Sequence, residues 1–319
     1  MSILIFGGTG QIGHALIREL SQSSDVVAPA RAEVDLTSAD ALRGAVERFA
    51  PSVVINASGY TAVDAAESDE ATCAAVNADA PGILAEVCRR RGVCLVHFST
   101  DYVFDGTKGA PYVESDVPRP LSVYGRTKLE GERAIEAIGG AYLIFRTSWV
   151  YAARGRNFAL TMLRLAKERS ELCVVDDQTG APTSAGAIAA GVAEVLGALT
   201  TGRSPLSSRA LRRWRSSGQA PREISTEALR DSVQSAAGVY HLTGSGATTW
   251  YGFARAILAD TPEQQKLRAI TTDEYPTAAT RPRYSVLDNT KVRERFGVQL
   301  PSWVDQWQSV AAELRVTTR

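Results

Sequence analysis

The sequence predicts an α/β fold, a doubly wound parallel sheet with a smaller C-terminal lobe, and three observations carry that expectation. Short apolar runs alternate with amphipathic helical segments through about residue 200. A glycine-rich turn, Gly7-Gly-Thr-Gly-Gln-Ile-Gly13, separates the first run from the first helical segment. Further on, Tyr124 and Lys128 stand one helical turn apart in V-Y-G-R-T-K, so their side chains share a helix face.

Taken in order, Ser2 to Phe6 is a buried-type strand and Ala15 to Leu20 an amphipathic helix. The turn between them offers backbone N–H groups and a helix dipole to a phosphate, with Gly7, Gly10 and Gly13 as the working positions. The G-x-x-G-x-x-G spacing marks a Rossmann-type fold of the short-chain dehydrogenase kind. Asp25 to Ala30 is the second strand. Its end meets the adenine ribose in such folds, and Arg31 stands there to pair with a 2′-phosphate, which favours NADPH while leaving NADH open. Ser38 to Phe49 is a helix capped by Ser38.

Residues 51–61 form a parallel strand whose C-terminal end, Asn56 to Thr61, turns small and polar. Ligands bind beyond such ends, so this stretch lines the nicotinamide half of the cofactor, with Ala57 and Gly59 leaving backbone room. Asp64 to Arg91 is helical. Leu95 to Phe104 is the fourth strand, ending in Ser99-Thr100-Asp101, where the Thr100 hydroxyl can bond a substrate oxygen. Asp105 to Leu121 is an irregular connection, and the Tyr124 helix begins near Ser122. In it the Lys128 ammonium favours the phenolate of Tyr124, lowering its pKa and making it a proton donor near neutral pH. With 10 Tyr and 5 Lys in 319 residues, chance supplies only about 0.16 such pairs.

Leu143 to Tyr151 is a further strand with Trp149 at its end, either core or a stacking surface for a flat ligand. Phe158 to Lys167 is a helix, Leu172 to Gln178 a strand, and Thr179 to Thr183 a polar turn into an Ala-rich helix ending near Leu199. Arginines, serines and prolines then crowd residues 200–222, which reads as a mobile surface insertion within about 200–235. Gly238 to Gly244 restores a strand, and Thr248-Thr249-Trp250 caps a helix running to Leu258. The extended loop Tyr275 to Arg283 carries Arg281 and Arg283, fit to bind a pyrophosphate. The division expected is a dinucleotide-binding unit over 1–150, with returns near 172–199 and 238–244, and a mainly substrate-binding lobe over 151–319.

Composition narrows the function. Lys+Arg and Asp+Glu number 35 each, so no net field recruits nucleic acid or an anionic membrane. The start lacks a basic leader and no run of 18 apolar residues occurs, which points to the cytoplasm. Cys73, Cys88, Cys94 and Cys173 form no C-x-x-C pair and His14, His97 and His241 are scattered, so buried thiols are expected and neither a metal site nor a disulfide framework.

The motifs together resemble one family. The glycine turn, Asn56-Ala57 with Tyr60-Thr-Ala-Val-Asp64, Ser99-Thr-Asp-Tyr-Val-Phe104, Tyr124 to Gly131, Arg146-Thr-Ser-Trp-Val-Tyr151, Asp177 to Thr183 and Arg281-Pro282 look like the dTDP-4-dehydrorhamnose reductases, extended short-chain dehydrogenases. The resemblance spans nearly the whole chain apart from roughly 200–235. It implies hydride delivery from NAD(P)H to the C4 carbonyl of dTDP-4-dehydro-L-rhamnose, giving dTDP-L-rhamnose for cell-surface polysaccharide. It implies Tyr124 as proton donor, Lys128 as its partner and holder of the nicotinamide ribose, and Thr100 tuning the acid. Gly10, Gln11, Ile12, Gly13, Asp35, Leu36, Gly59, Tyr60 and Thr61 would hold the cofactor. Thr100, Asp101 and Trp149 would touch the sugar nucleotide, with Asn157 and Arg281 as further candidate contacts. Some members carry a glutamate just after the helix start that helps hold Mg2+ between subunits; Ala15 stands here, against a metal-bridged dimer, and leaves monomer or homodimer. Two rival readings are an epimerase or dehydratase of the same class and a non-catalytic cofactor-binding regulatory subunit. A dehydratase usually adds an Asp-Glu pair, where this chain has Asp101-Tyr102, and retention of Tyr124, Lys128 and Thr100 speaks against a regulator.

Overall fold

A computed structural model of the protein describes residues 1–201, 225–259 and 261–317. Its centre is a six-stranded, all-parallel sheet. Strands β1 (Ser2–Phe6), β2 (Asp25–Val27), β3 (Val53–Asn56), β4 (Cys94–Thr100) and β5 (Tyr142–Thr147) are joined by β10 (Gly238–His241) in the order β10-β5-β4-β3-β1-β2. The order reverses direction at β1, between β2 and β3, which opens a crevice beyond the strands' C-terminal ends.

The strands are apolar on both faces because both faces are covered. Ile3 and Ile5 belong to one core and Leu4 and Phe6 to the other. Helices α1 (Gln11–Leu20), α8 (Ala185–Thr201), α9 (Thr226–Ser235) and α11 (Thr290–Phe296) feed the first core; α2 (Ala39–Phe49), α5 (Ala80–Arg91) and α6 (Val123–Ile138) feed the second. Helix α8 shows why it docks. Ile188, Val192, Val195 and Leu199 are all buried, one stripe at 3.6-residue spacing, each contributing about 1.5–3 kcal/mol by leaving water.

A third core joins Tyr151, Met162, Phe253, Ile257 and Trp307. It is built by α7 (Phe158–Glu168), α10 (Trp250–Ile257) and α12 (Trp303–Thr317), with short pairs beside it: β6 (Val150–Tyr151) with β9 (Thr183–Ser184), β7 (Leu172–Val175) with β12 (Leu267–Ile270), and β8 (Thr179–Gly180) with β11 (Thr248–Thr249). The strand at 172–175 thus lies outside the central sheet.

Several sequence expectations need correction. The single helix over 64–91 is broken into α3 (Val63–Ala66), α4 (Glu70–Ala74), a π turn (Ala75–Asp79) and α5. Pro81 accounts for the π turn, for it lacks the N–H that would bond Asn77 O. Gly131 of α6 occupies the space beside that oxygen, where a Cβ would collide with it. The strand expected over 143–151 splits because Trp149 sits at φ 46°, a left-handed conformation no strand accommodates. The strand over 95–104 stops at Thr100, whose hydroxyl accepts from Tyr102 N and starts a 3-10 turn. Residues 57–62 leave the strand path, and β2 ends two residues before Pro29. Most of the expected insertion, 202–224, lies outside the described residues, but 226–235 is helix α9, held by buried Leu229 and Val233. Three thiols are buried, while Cys173 on β7 is exposed.

His241, fully buried at the end of β10, gives a first testable consequence. Its N–H donates to Glu114 and its Nδ1 to Asp288 O, and burial, aided by the Arg146 charge, lowers its pKa to about 3. The unfolded chain takes up a proton below its ordinary value and the folded chain does not, so stability is lost as pH falls from about 6.5 toward 3. Between pH 8 and pH 5 this costs about 2 kcal/mol. Urea unfolding midpoints should therefore fall less steeply with pH in His241→Gln than in the native protein; parallel curves would refute the assignment.

Candidate active site

At the end of β1 the backbone is shaped for an anion. Gly7 has φ 83°, and a Cβ there would come within 2.7 Å of the Ala57 backbone; a Cβ on Gly13 would collide with Gly7 O. Gly10 N bonds Gly7 O at 2.9 Å and precedes α1, which no side chain caps and whose first turn carries no acid. Gln11, Ile12 and Gly13 thus present first-turn N–H groups at a positive helix end. This cradle fits a dinucleotide pyrophosphate. Gly13→Ala is expected to weaken NADPH binding about 10-fold or more, a loss of ~1.4 kcal/mol or more, by displacing that backbone; fluorescence titration of NADPH checks it.

Beyond β2, Arg31 is exposed and Leu36 half-buried. Asp35 accepts from Thr37 N and Oγ1 at 2.9 Å each, and these bonds, with the Arg31 charge adding, hold its carboxyl below the usual range. Beyond β3, the Asn77 side chain brackets Tyr60, accepting from its N at 2.9 Å and donating to its O at 3.1 Å. Gly59 and Thr61 on either side are exposed. The sequence reading passed over Asn77, yet this π-turn residue shapes the loop facing the crevice; π turns recur at functional sites.

Beyond β4 lies the chemistry. Ser122 caps α6, accepting from Gly125 N at 3.2 Å, and Gly125 lets the helix start lie against Tyr102 O, where a Cβ would collide. That contact brings Tyr124 to the end of β4. Burial pushes its phenol up to about 12, the nearby Thr100 hydroxyl pulls the other way, and the Asp101 carboxylate adds to the rise. Tyr102 packs edge-on to the phenol ring at 5.8 Å. Asp101, itself 2 % exposed, accepts from Thr100 Oγ1 at 3.1 Å and Ser148 Oγ at 2.9 Å. Burial raises its carboxyl to about 6 against these hydroxyls and that of Ser285. Asp101 is thus anchored beneath Thr100.

Lys128 corrects the sequence argument. Its Nζ donates to Phe98 O at 2.6 Å and lies 3.2 Å from His97 Nε2. Burial lowers its pKa to about 8, with Glu132 and the Cys73 thiol opposing. It is not among the charges that shift Tyr124, so the phenol is raised rather than lowered. The strand carbonyl, not the phenol, is where the ammonium is directed.

The remaining candidates are more committed than expected. Trp149 stacks on Trp250 at 3.5 Å and 4° and is backed by Gly180, where a Cβ would collide with the indole; one face is therefore taken. Arg281 makes a bidentate pair with Asp64 at 2.7 and 3.1 Å and also donates to Ala279 O, while Arg283 is exposed. Asn157 caps α7 through Leu160 N and donates to Gln11 Oε1, Ala152 O and Arg154 O. It ties the glycine turn to the third core. Among the described residues no group of three His, Cys, Asp or Glu is placed to hold a metal ion.

The sequence pattern of the RmlD substrate binding domain family matches residues 1–208 and 220–316. A dTDP-4-dehydrorhamnose reductase of Burkholderia thailandensis is 46% identical over 313 residues, 95% of each chain. A crystal structure of a dTDP-4-dehydrorhamnose reductase from Clostridium acetobutylicum superposes with TM-score 0.82 at 33% identity, covering 99% of this chain and 100% of that one. That of the Bacillus anthracis enzyme, in complex with NADP, superposes with TM-score 0.79 at 28% identity over 98% and 99%.

Proposed function

The chain belongs to the dTDP-4-dehydrorhamnose reductase family, and we propose that it reduces the C4 carbonyl of dTDP-4-dehydro-L-rhamnose to dTDP-L-rhamnose with NADPH. The observation that carries this is the Thr100–Tyr124 pair at the end of β4, in one crevice with the glycine cradle of β1. NADP in the Bacillus anthracis relative and Arg31 beyond β2 support NADPH over NADH.

When bound, the reduced nicotinamide supplies the hydride. Everything else falls to this chain's side chains. Tyr124 holds the carbonyl oxygen and gives it the phenolic proton as negative charge develops there, with Thr100 beside it tuning the acid. A phenol near 12 keeps its proton throughout the neutral range, so the acid is always loaded. Asp101 holds the Thr100 hydroxyl, and Lys128, one turn along, would hold the nicotinamide ribose. Gly59 to Thr61, braced by Asn77, flank the nicotinamide half. Trp149, Asn157 and Arg281 border the sugar-nucleotide side, where Arg281 meets a diphosphate by exchanging Asp64 for it. In this reading 1–150, with α8 and β10, hold the cofactor, and the third core carries the substrate side. The protein works in the cytoplasm as monomer or homodimer; among the described residues no helix is long and apolar enough to cross a membrane.

NADPH oxidation with dTDP-4-dehydro-L-rhamnose, one equivalent consumed per product, tests the proposal, with the UDP-linked sugar as control. No oxidation with either sugar overturns it.

A further inference from the structure

The hydrogens around Lys128 disfavour an ammonium. Asn56 Oδ1 accepts from Ser58 N at 3.2 Å and from the Ser58 hydroxyl, so the amide's oxygen side is fixed and its Nδ2 is the atom 3.2 Å from His97 Nδ1. An amide Nδ2 only donates, so Nδ1 accepts and the single proton of a neutral imidazole sits on Nε2. That nitrogen lies 3.2 Å from Lys128 Nζ. Two donors would face each other if the lysine were charged; a neutral amine instead accepts from Nε2–H. His97 is 0 % and Lys128 4 % exposed, which leaves no water to relieve the clash. The groups facing Lys128 with the opposite bias are Glu132 on its own helix and Cys73 on α4, and Glu132 is already locked to Arg146.

We propose that His97, held as its Nε2–H tautomer by Asn56 and Ser58, is a positioning residue that sets the charge of Lys128, making the neutral amine accessible within the working pH range. Its kinetic consequence rests on the reductase reading; the tautomer does not. In the reductase reading the ammonium is the form that holds the nicotinamide ribose, so the pH at which Lys128 loses its proton sets the alkaline limb of kcat/KM.

The chain has only three histidines, so 15N-histidine NMR of the intact protein reads each ring, with His14→Gln and His241→Gln separating the signals. At pH 7 His97 is expected to show an unprotonated Nδ1 and a protonated Nε2. The opposite tautomer, or an imidazolium, overturns the proposal. Asn56→Asp supplies the kinetic arm: a carboxylate accepts from Nδ1–H, moves the ring's proton to Nδ1, and leaves Nε2 to accept from the ammonium. The alkaline limb should then move up by about one pH unit. A reversed tautomer with an unmoved limb refutes the charge-setting role. Failure to reduce the sugar at all would strike the reductase reading and leave the tautomer result standing.

Discussion

Tyr124→Phe is expected to lower kcat by roughly 10²–10⁴-fold, the range for loss of a positioned general acid, while NADPH affinity stays within about twofold because only one oxygen is removed. The argument rests on burial. Tyr124 is half-buried with the Thr100 hydroxyl near its own, so the phenylalanine ring fits the same space and the fold is untouched. What disappears is the proton delivered to the carbonyl oxygen and the hydroxyl that holds that oxygen. Thr100 cannot take over, because its one hydroxyl proton already goes to Asp101. Single-turnover NADPH oxidation separates this from slowed product release: the hydride-transfer step itself should be slow. Native-like turnover in the variant would remove Tyr124 from the acid's role, and a large loss of cofactor affinity would recast it as a binding residue.

The parts of this site that were legible in the sequence are those set by neighbours along the chain. An apolar run followed by glycines specifies strand, turn and helix locally, and the caps were readable for the same reason: Ser38 accepts from Ala41 N, Ser122 from Gly125 N and Thr249 from Gly252 N. Distant partners left no such mark. Lys128 meets His97 across 31 positions and Arg281 meets Asp64 across 217; i,i+4 reasoning placed Lys128 beside Tyr124 and missed the strand carbonyl competing for it. The π turn depends on Pro81 in one helix and Gly131 in another, neither conspicuous alone. Helix α9 was hidden by composition, since the arginine- and serine-rich stretch before it masks Leu229 and Val233, four residues apart on one face. Strand β12, L-R-A-I, is too short and mixed to signal itself, and forms because β7 offers an edge.

Glu132→Ala is expected to cost about 3–5 kcal/mol of folding stability, the range for breaking a buried ion pair from one side. Glu132 on α6 receives Arg146 Nε at 2.9 Å and a terminal nitrogen at 2.6 Å, with the two side chains 1 % and 4 % exposed. Arg146 also lies over the Phe104 ring at 5.1 Å, its other terminal nitrogen has no hydrogen-bond partner, and Glu114 and Glu136 feel its charge without hydrogen-bonding it. Removing both charges together, as Glu132→Met with Arg146→Met, should recover much of the loss, because no uncompensated ion is then left in the core. The same carboxylate raises the proton affinity of Lys128 one turn away. Both variants should therefore lose activity at a lower pH than the native enzyme, whereas only the single variant should be strongly destabilised. Urea unfolding and the alkaline limb of kcat/KM measure the two effects separately. If the double variant restores both, Glu132 acts on Lys128 only through the integrity of the helix, and its electrostatic part in the site is lost.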